Sequence, residues 1–308
     1  MKKFIYRTAI FLTILIVVDI IWGLAFDKIE SRIEIGGTGR NNYICNQVSD
    51  DILIFGSSRA ESHYNAQMMM DSLGLSCYNC GESGCGIVLN YGRLLLLLER
   101  QTPKLVIYEL TPEYDYLKGE KDIHKGLTFL KNYRNKDGIN SLFQDFDRIE
   151  PYKLTSGLYR HNSSFFKNII SYFFNLSFGS GIRGFRPIDQ PLDTMKIKKD
   201  YIPYDSNEGY DYDSMKLKYF RNFLAKTQDI KTIIVVSPMW YGQDDAVLDS
   251  IKPLCNQEGV FLLNYANSPK YNHKDQFFVN GTHLNATGAD EFTRDLIKDI
   301  EGLNILHK

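Results

Sequence analysis

Short apolar runs alternate with amphipathic stretches along most of the chain. Runs at 52–55, 75–79, 104–110, 232–237 and 260–264 are β-branched and almost continuously apolar, as strands covered on both faces are. Helical periodicity marks 62–73, 87–100, 213–226, 244–258 and 286–301. Strand–helix alternation of this kind predicts an α/β fold, a doubly wound parallel sheet of five strands with helices on both sides. In such sheets ligands sit beyond the carboxyl ends of the strands.

The rhythm breaks at two places. Between about 111 and 212 lies a Tyr/Phe-rich insertion, with helices expected near 139–144 and 165–174 and a turn-rich loop, GSGIRGFRPI, at 179–188. It leaves the sheet at the carboxyl end of the third strand, so it is expected to wall or cover a site there. At the N-terminus, the basic MKKFIYR precedes an apolar run, 8–26, of about the length that crosses a bilayer. Lys2, Lys3 and Arg7 place the N-terminus in the cytoplasm and the rest of the chain outside. No small-x-small cleavage site follows, which marks an uncleaved signal-anchor in the cell membrane. Asp19 is the exception within the run, because an acid in a span is costly. Either it is hydrated near the outer interface or it meets a polar group on a partner membrane protein. The expected organisation is a cytoplasmic tip and span over 1–31, a linker over 32–50 and one extracytoplasmic domain over 51–308.

Composition narrows the classes. A chain of 308 residues with a formal net charge of −1 offers no electrostatic case for nucleic acid. Twenty Tyr and 19 Phe suit a core or a carbohydrate or acyl pocket. Five cysteines (Cys45, Cys77, Cys80, Cys85 and Cys255) include one C-x-x-C pair, with no second pair or metal-spaced His. A disulfide among Cys77, Cys80 and Cys85 and buried free thiols are both open. No metal or cofactor is expected, and no Gly-rich phosphate loop points to a nucleotide.

The first strand runs into Gly56-Ser57-Ser58-Arg59, where a helix begins. Alone, these serines read as helix caps; the sharper reading is a nucleophile, which requires a base. Of six histidines, His124, His161, His273 and His307 fall in polar or inserted segments. His63 follows the serines by five residues. His283 lies in FFVNGTHLNATGADEF, after the last strand and opening the last helix, a loop that can reach the end of the first strand.

These blocks resemble the SGNH/GDSL-type hydrolases, over about 51–110 and 232–300. That family is flavodoxin-like α/β with a Ser-His or Ser-His-Asp site. By the resemblance Ser58 is the nucleophile, and its own N–H and that of Gly84, in NCGESGCG, form the oxyanion hole. His283 is the general base, oriented by Asn280 where the family has Asp. Arg59 and His63 are candidate substrate contacts, with an exposed helix-start Arg and a packed His as the plain alternatives. The family's oxyanion Asn is missing: VIYELTPEYDY continues from the third strand instead, leaving Thr111 or the insertion to substitute. These features resemble a subset of the family that is membrane-anchored and extracytoplasmic and works with polysaccharide or teichoic-acid acylation systems. The resemblance therefore implies a serine esterase or O-acyltransferase acting on acyl esters, acetyl esters first among them, of a cell-envelope glycan, with a multispanning acyltransferase as an implied partner. The alternative is a non-catalytic protein of this fold that binds glycan or a membrane partner.

Overall fold

A computed structural model describes residues 1–162, 164–174, 181–193 and 209–306. His307 and the first two residues of the 179–188 loop lie outside the described residues. The chain forms two compact units, Met1–Cys45 with Leu127–Ser180, and Asn46–Gly126 with Gly181–Lys308.

The second unit is built on one parallel sheet of β1 (Ile52–Phe55), β2 (Cys77–Asn79), β3 (Leu105–Glu109), β4 (Lys231–Val236) and β5 (Phe261–Asn264), in the order β2-β1-β3-β4-β5. Register pairs Ile54 with Asn79 and Ile107, and Tyr108 with Ile234. The three inner strands are buried almost throughout, whereas the edge strand β5 is half-exposed; hence the unbroken apolarity of the inner runs. Phe220 and Phe223 of the helix Ser214–Lys226 pack against Phe55 and Tyr108 on one face. On the other, Phe292 of the helix Ala286–Gly302 packs edge-on against Tyr64 at 5.3 Å between centroids. The sheet is thus covered on both sides, as the alternation predicts. Consecutive strands leave β1 in opposite directions, so the switch point of this order lies between β1 and β3.

Several elements differ from the sequence reading. The expected 62–73 helix is two, Ser58–His63 and Ala66–Leu73, because Asn65 caps the second by accepting from the Met68 N–H at 3.1 Å. The 244–258 helix is a 3-10 turn, Asp245–Leu248, followed by Lys252–Gln257 with its proline in the first turn. All five cysteines are free and buried.

The first unit corrects the linker expected over 32–50. Gly36–Asn46 is a helix with Arg40, Asn41, Asn42, Ile44 and Cys45 buried. Its polar side chains are hydrogen-bonded inside the unit: Asn42 Nδ2 donates to Glu30 O at 2.7 Å and Ile33 O at 3.0 Å, and Asn41 Nδ2 to Phe129 O at 2.9 Å. A polar stretch satisfied in this way has no hydrophobic signature. The helix Lys2–Glu30 contains the apolar run and is long and apolar enough to cross a membrane. The inserted helices expected at 139–144 and 165–174 are Asp137–Phe146 and Phe165–Phe174, joined by Glu150–Lys153 and Gly157–His161. His161, expected in a polar or inserted segment, lies in the insertion and is buried against the helix Lys2–Glu30: its Nε2 is 2.8 Å from Asp27 Oδ1.

Candidate functional site

At the carboxyl end of β1, Gly56 turns the chain with a φ of 140°. A Cβ there would lie 2.7 Å from Glu109 O and 2.8 Å from Ala60 Cβ, so only glycine lets β1 leave the sheet this close to β3. The two serines that follow are placed differently. Ser57 precedes the helix but makes no capping bond; it is fully buried, with its Oγ 2.8 Å from Thr111 Oγ1. Ser58 is half-exposed and opens the helix Ser58–His63, where its N–H has no intrahelical acceptor.

The loop before the last helix brings His283 over β1, with Nε2 2.8 Å from Ser58 Oγ. Asn280 Oδ1 organises that loop, accepting from the N–H groups of Thr282 at 3.0 Å and His283 at 2.8 Å. It also lies 3.2 Å from His283 Nδ1, with Thr282 Oγ1 at 3.1 Å. Both are neutral acceptors for an Nδ1–H, which leaves Nε2 unprotonated and facing the serine hydroxyl. Burial, and then the cation of Arg59, lower the pKa of His283 to about 4. The ring is therefore neutral through the neutral pH range.

His63 does not open to the cavity. It is fully buried, its Nδ1 is 2.8 Å from Ser237 Oγ, and its Nε2 accepts the N–H of Leu284 at 3.0 Å. Burial and the neighbouring His283 hold its pKa well below the ordinary range. His63 thus fixes the backbone beside His283 as a neutral ring. Arg59 is likewise no exposed helix-start residue: it is buried, with Nε 2.9 Å from Glu109 Oε1 and a terminal nitrogen donating to Leu110 O. Both candidate substrate contacts turn inward, because the helix they share packs its 59 and 63 positions onto the sheet.

The sequence reading missed the residue that joins them. Glu109, at the end of β3, is fully buried and receives the Tyr64 hydroxyl, the Ser237 N–H at 3.1 Å and the Ser237 Oγ at 2.9 Å, besides Arg59. An acid closing an otherwise apolar strand was the available signal. Thr111 does not supply the missing oxyanion donor either. Its N–H donates to Asp115 Oδ2 at 2.6 Å and its hydroxyl is taken up by Ser57.

Ser58 and His283 open into a cavity of about 800 Å³. From the β2 loop Ser83 reaches its wall; Gly84, at a φ of 66°, is not among the lining residues. Glu61 and Arg186 form a paired charge there, with Arg186 Nη1 2.7 Å from Glu61 Oε1. Asp193, Gln190 and Leu192, from the second half of the insertion, line it as well. Among the described residues, the insertion thus supplies a wall through 186–193. Ser58, His283 and Asn280 are brought together; among the described residues no group of three His, Cys, Asp or Glu converges as a metal site.

No family model matches the chain, and no curated protein matches it. Among solved structures the chain is similar to one described as "a putative platelet activating factor from Streptococcus pneumonia", at 13% identity and a TM-score of 0.35, over 96% of this chain and 98% of that one. A likeness this loose says nothing about chemistry, which rests here on the geometry of Ser58, His283 and Asn280.

Proposed function

We propose that the protein is a membrane-anchored serine esterase or O-acyltransferase that uses Ser58 and His283 on acyl esters of cell-envelope glycans. The carrying observation is the 2.8 Å contact of Ser58 Oγ with His283 Nε2 at the mouth of an open cavity. Ser58 Oγ attacks the ester carbonyl while His283 Nε2 takes its proton. The alkoxide leaves with that proton, which gives an acyl-serine. Water or a sugar hydroxyl then attacks, gives its proton to Nε2, and releases Ser58. The tetrahedral oxyanion meets the N–H of Ser58; Gly84, the second donor that the family resemblance implies, does not line the cavity. Asn280 and Thr282 hold Nδ1–H through both steps. A wall carrying Glu61, Arg186, Gln190 and Asp193 suits a hydroxyl-rich substrate better than a long acyl chain.

The neutral Asn280 favours a second reading, a binding protein that keeps the fold without turnover, because an amide cannot stabilise an imidazolium by charge. The two separate on the full chain in detergent micelles. Covalent labelling by a serine-directed fluorophosphonate, hydrolysis of aryl acetates, and loss of both in Ser58→Ala support the enzyme. Binding of envelope glycan without either activity supports the second reading.

A further inference from the structure

Within the first unit, residues 156–161 and Phe165 contact the C-terminal half of the helix Lys2–Glu30. A Cβ on Gly157 would fall 2.4 Å from Gly23 Cα, so the two backbones touch. Phe165 stacks on Trp22 at 5.1 Å and packs against Phe26 at 4.9 Å between centroids. The span therefore fixes the depth of this segment. With the apolar run ending at Phe26, Asp19 lies about 10 Å inside it at the rise of a helix.

At that depth backbone groups need partners within the protein, and here they have them. Asp19 accepts from Ser156 Oγ at 3.0 Å, Gly157 N–H at 3.1 Å and Leu158 N–H at 2.7 Å. Arg160 Nη1 donates to Leu154 O at 2.7 Å and Thr155 O at 3.0 Å. The cation of Arg160 is paired with Asp27 at 3.0 Å, and Lys153 is paired with Asp147 at 2.7 Å and Glu150 at 3.2 Å. The acid in the span thus serves the turn that precedes the helix Gly157–His161.

The outward face is apolar. Among the described residues outside the span, eleven large hydrophobic side chains are exposed, and eight of them fall between 149 and 173. Phe166, Ile170 and Phe173 recur at i, i+4 and i+7, on the stripe opposite the buried Asn168; Phe166 is 75% exposed. We infer that residues 149–174 form a re-entrant element, embedded in the leaflet that holds the C-terminal half of the span, and that lipid chains cover Phe166, Ile170 and Phe173. The occupant is lipid because the helix that carries this face packs through Phe165 on Trp22 and Phe26 of the span. The inference rests on Lys2–Glu30 crossing the bilayer, and it is independent of any chemistry at Ser58.

The test uses the full chain in vesicles of phosphatidylcholine and phosphatidylglycerol. A single environment-sensitive fluorophore is placed through Phe166→Cys or Phe173→Cys, with Ile14→Cys on the span and Ile182→Cys on the other unit as references. Lipid-borne spin labels should quench the probes at 166 and 173, and aqueous dithionite should reduce them at least about tenfold more slowly than the probe at 182, as a water-excluded position demands. Reduction at the rate of the 182 probe overturns the inference. So does protection from dithionite without quenching by spin-labelled lipid, which would mean that protein covers the face. A probe at 14 that escapes the deep spin label would instead sink the span itself.

Discussion

Ser57 and Ser58 are adjacent in sequence but chemically separated by one step of backbone. The first is turned into the sheet and held by Thr111; the second faces His283. Ser58→Ala should abolish fluorophosphonate labelling. Ser57→Ala should keep it within about threefold and destabilise the fold by about 1–2 kcal/mol, the cost of a buried hydroxyl left without its partner. Labelling lost in Ser57→Ala, with the fold intact by circular dichroism, would move the nucleophile by one residue. The base makes a sharper prediction. Only the neutral ring accepts the serine proton, and His283 loses its charge as pH rises through about 4. The labelling rate should therefore be flat from neutral pH down to about 5 and fall below that. Asn280→Asp adds a carboxylate at Nδ1, which favours the imidazolium and raises this pKa. The acid limb should move toward neutrality, and the rate at pH 7 should rise about tenfold as the base strengthens. A limb that stays near 4 in Asn280→Asp would mean that the position does not address the ring.

The ends of β1, β3 and β4 are tied to one another by a single carboxylate. Glu109 on β3 takes donors from Arg59 and Tyr64 after β1 and from Ser237 after β4, and Ser237 in turn meets His63, which holds Leu284. The loop that carries His283 is thereby fixed from the sheet. Glu109→Gln leaves the buried Arg59 cation without its counter-charge, an imbalance that typically costs about 3–5 kcal/mol. Urea unfolding of the full chain in micelles should show a loss of that order. A loss under about 1 kcal/mol would show that Tyr64 and Ser237 hold the strand ends without the ion pair. The strands themselves were legible in the sequence, because inner strands of a parallel sheet must be apolar on both faces. The pairing of Ser58 with His283 was legible as two blocks with the right residue types. Glu109 was not, since an acid at a strand end looks like the start of a loop until the topology surrounds it with donors. A six-residue helix has too few positions to show which side it buries, so Arg59 was expected exposed or at the substrate and is buried, while His63 takes the packed, hydrogen-bonded reading.

At the scale of the whole molecule, the boundary expected at residue 32 falls inside a unit. Asp27 and Glu30 lie at the end of the helix Lys2–Glu30, and they pair with Arg160, His161 and Lys131, all buried. Hydropathy marks that helix as long and apolar enough to cross a membrane and gives no sign that its C-terminal acids neutralise a later segment more than 100 residues away. Truncation before residue 32 therefore removes more than a helix long and apolar enough to cross a membrane. It leaves Arg160 and Lys131 as buried cations without counter-charges, together with the turn at 154–158 whose N–H groups Asp19 accepts. Opening that region then restores their hydration, so the low-stability end of the molecule should be residues 127–174. Limited proteolysis of a chain starting at 32 should cut within 127–174 at least about tenfold faster than in the full chain in micelles, in line with a rise in the open population. The fragment that retains the sheet should still unfold cooperatively, because every strand and both covering layers lie outside 127–174. Equal cutting rates in the two chains would show that the charges of the first unit are satisfied without the span.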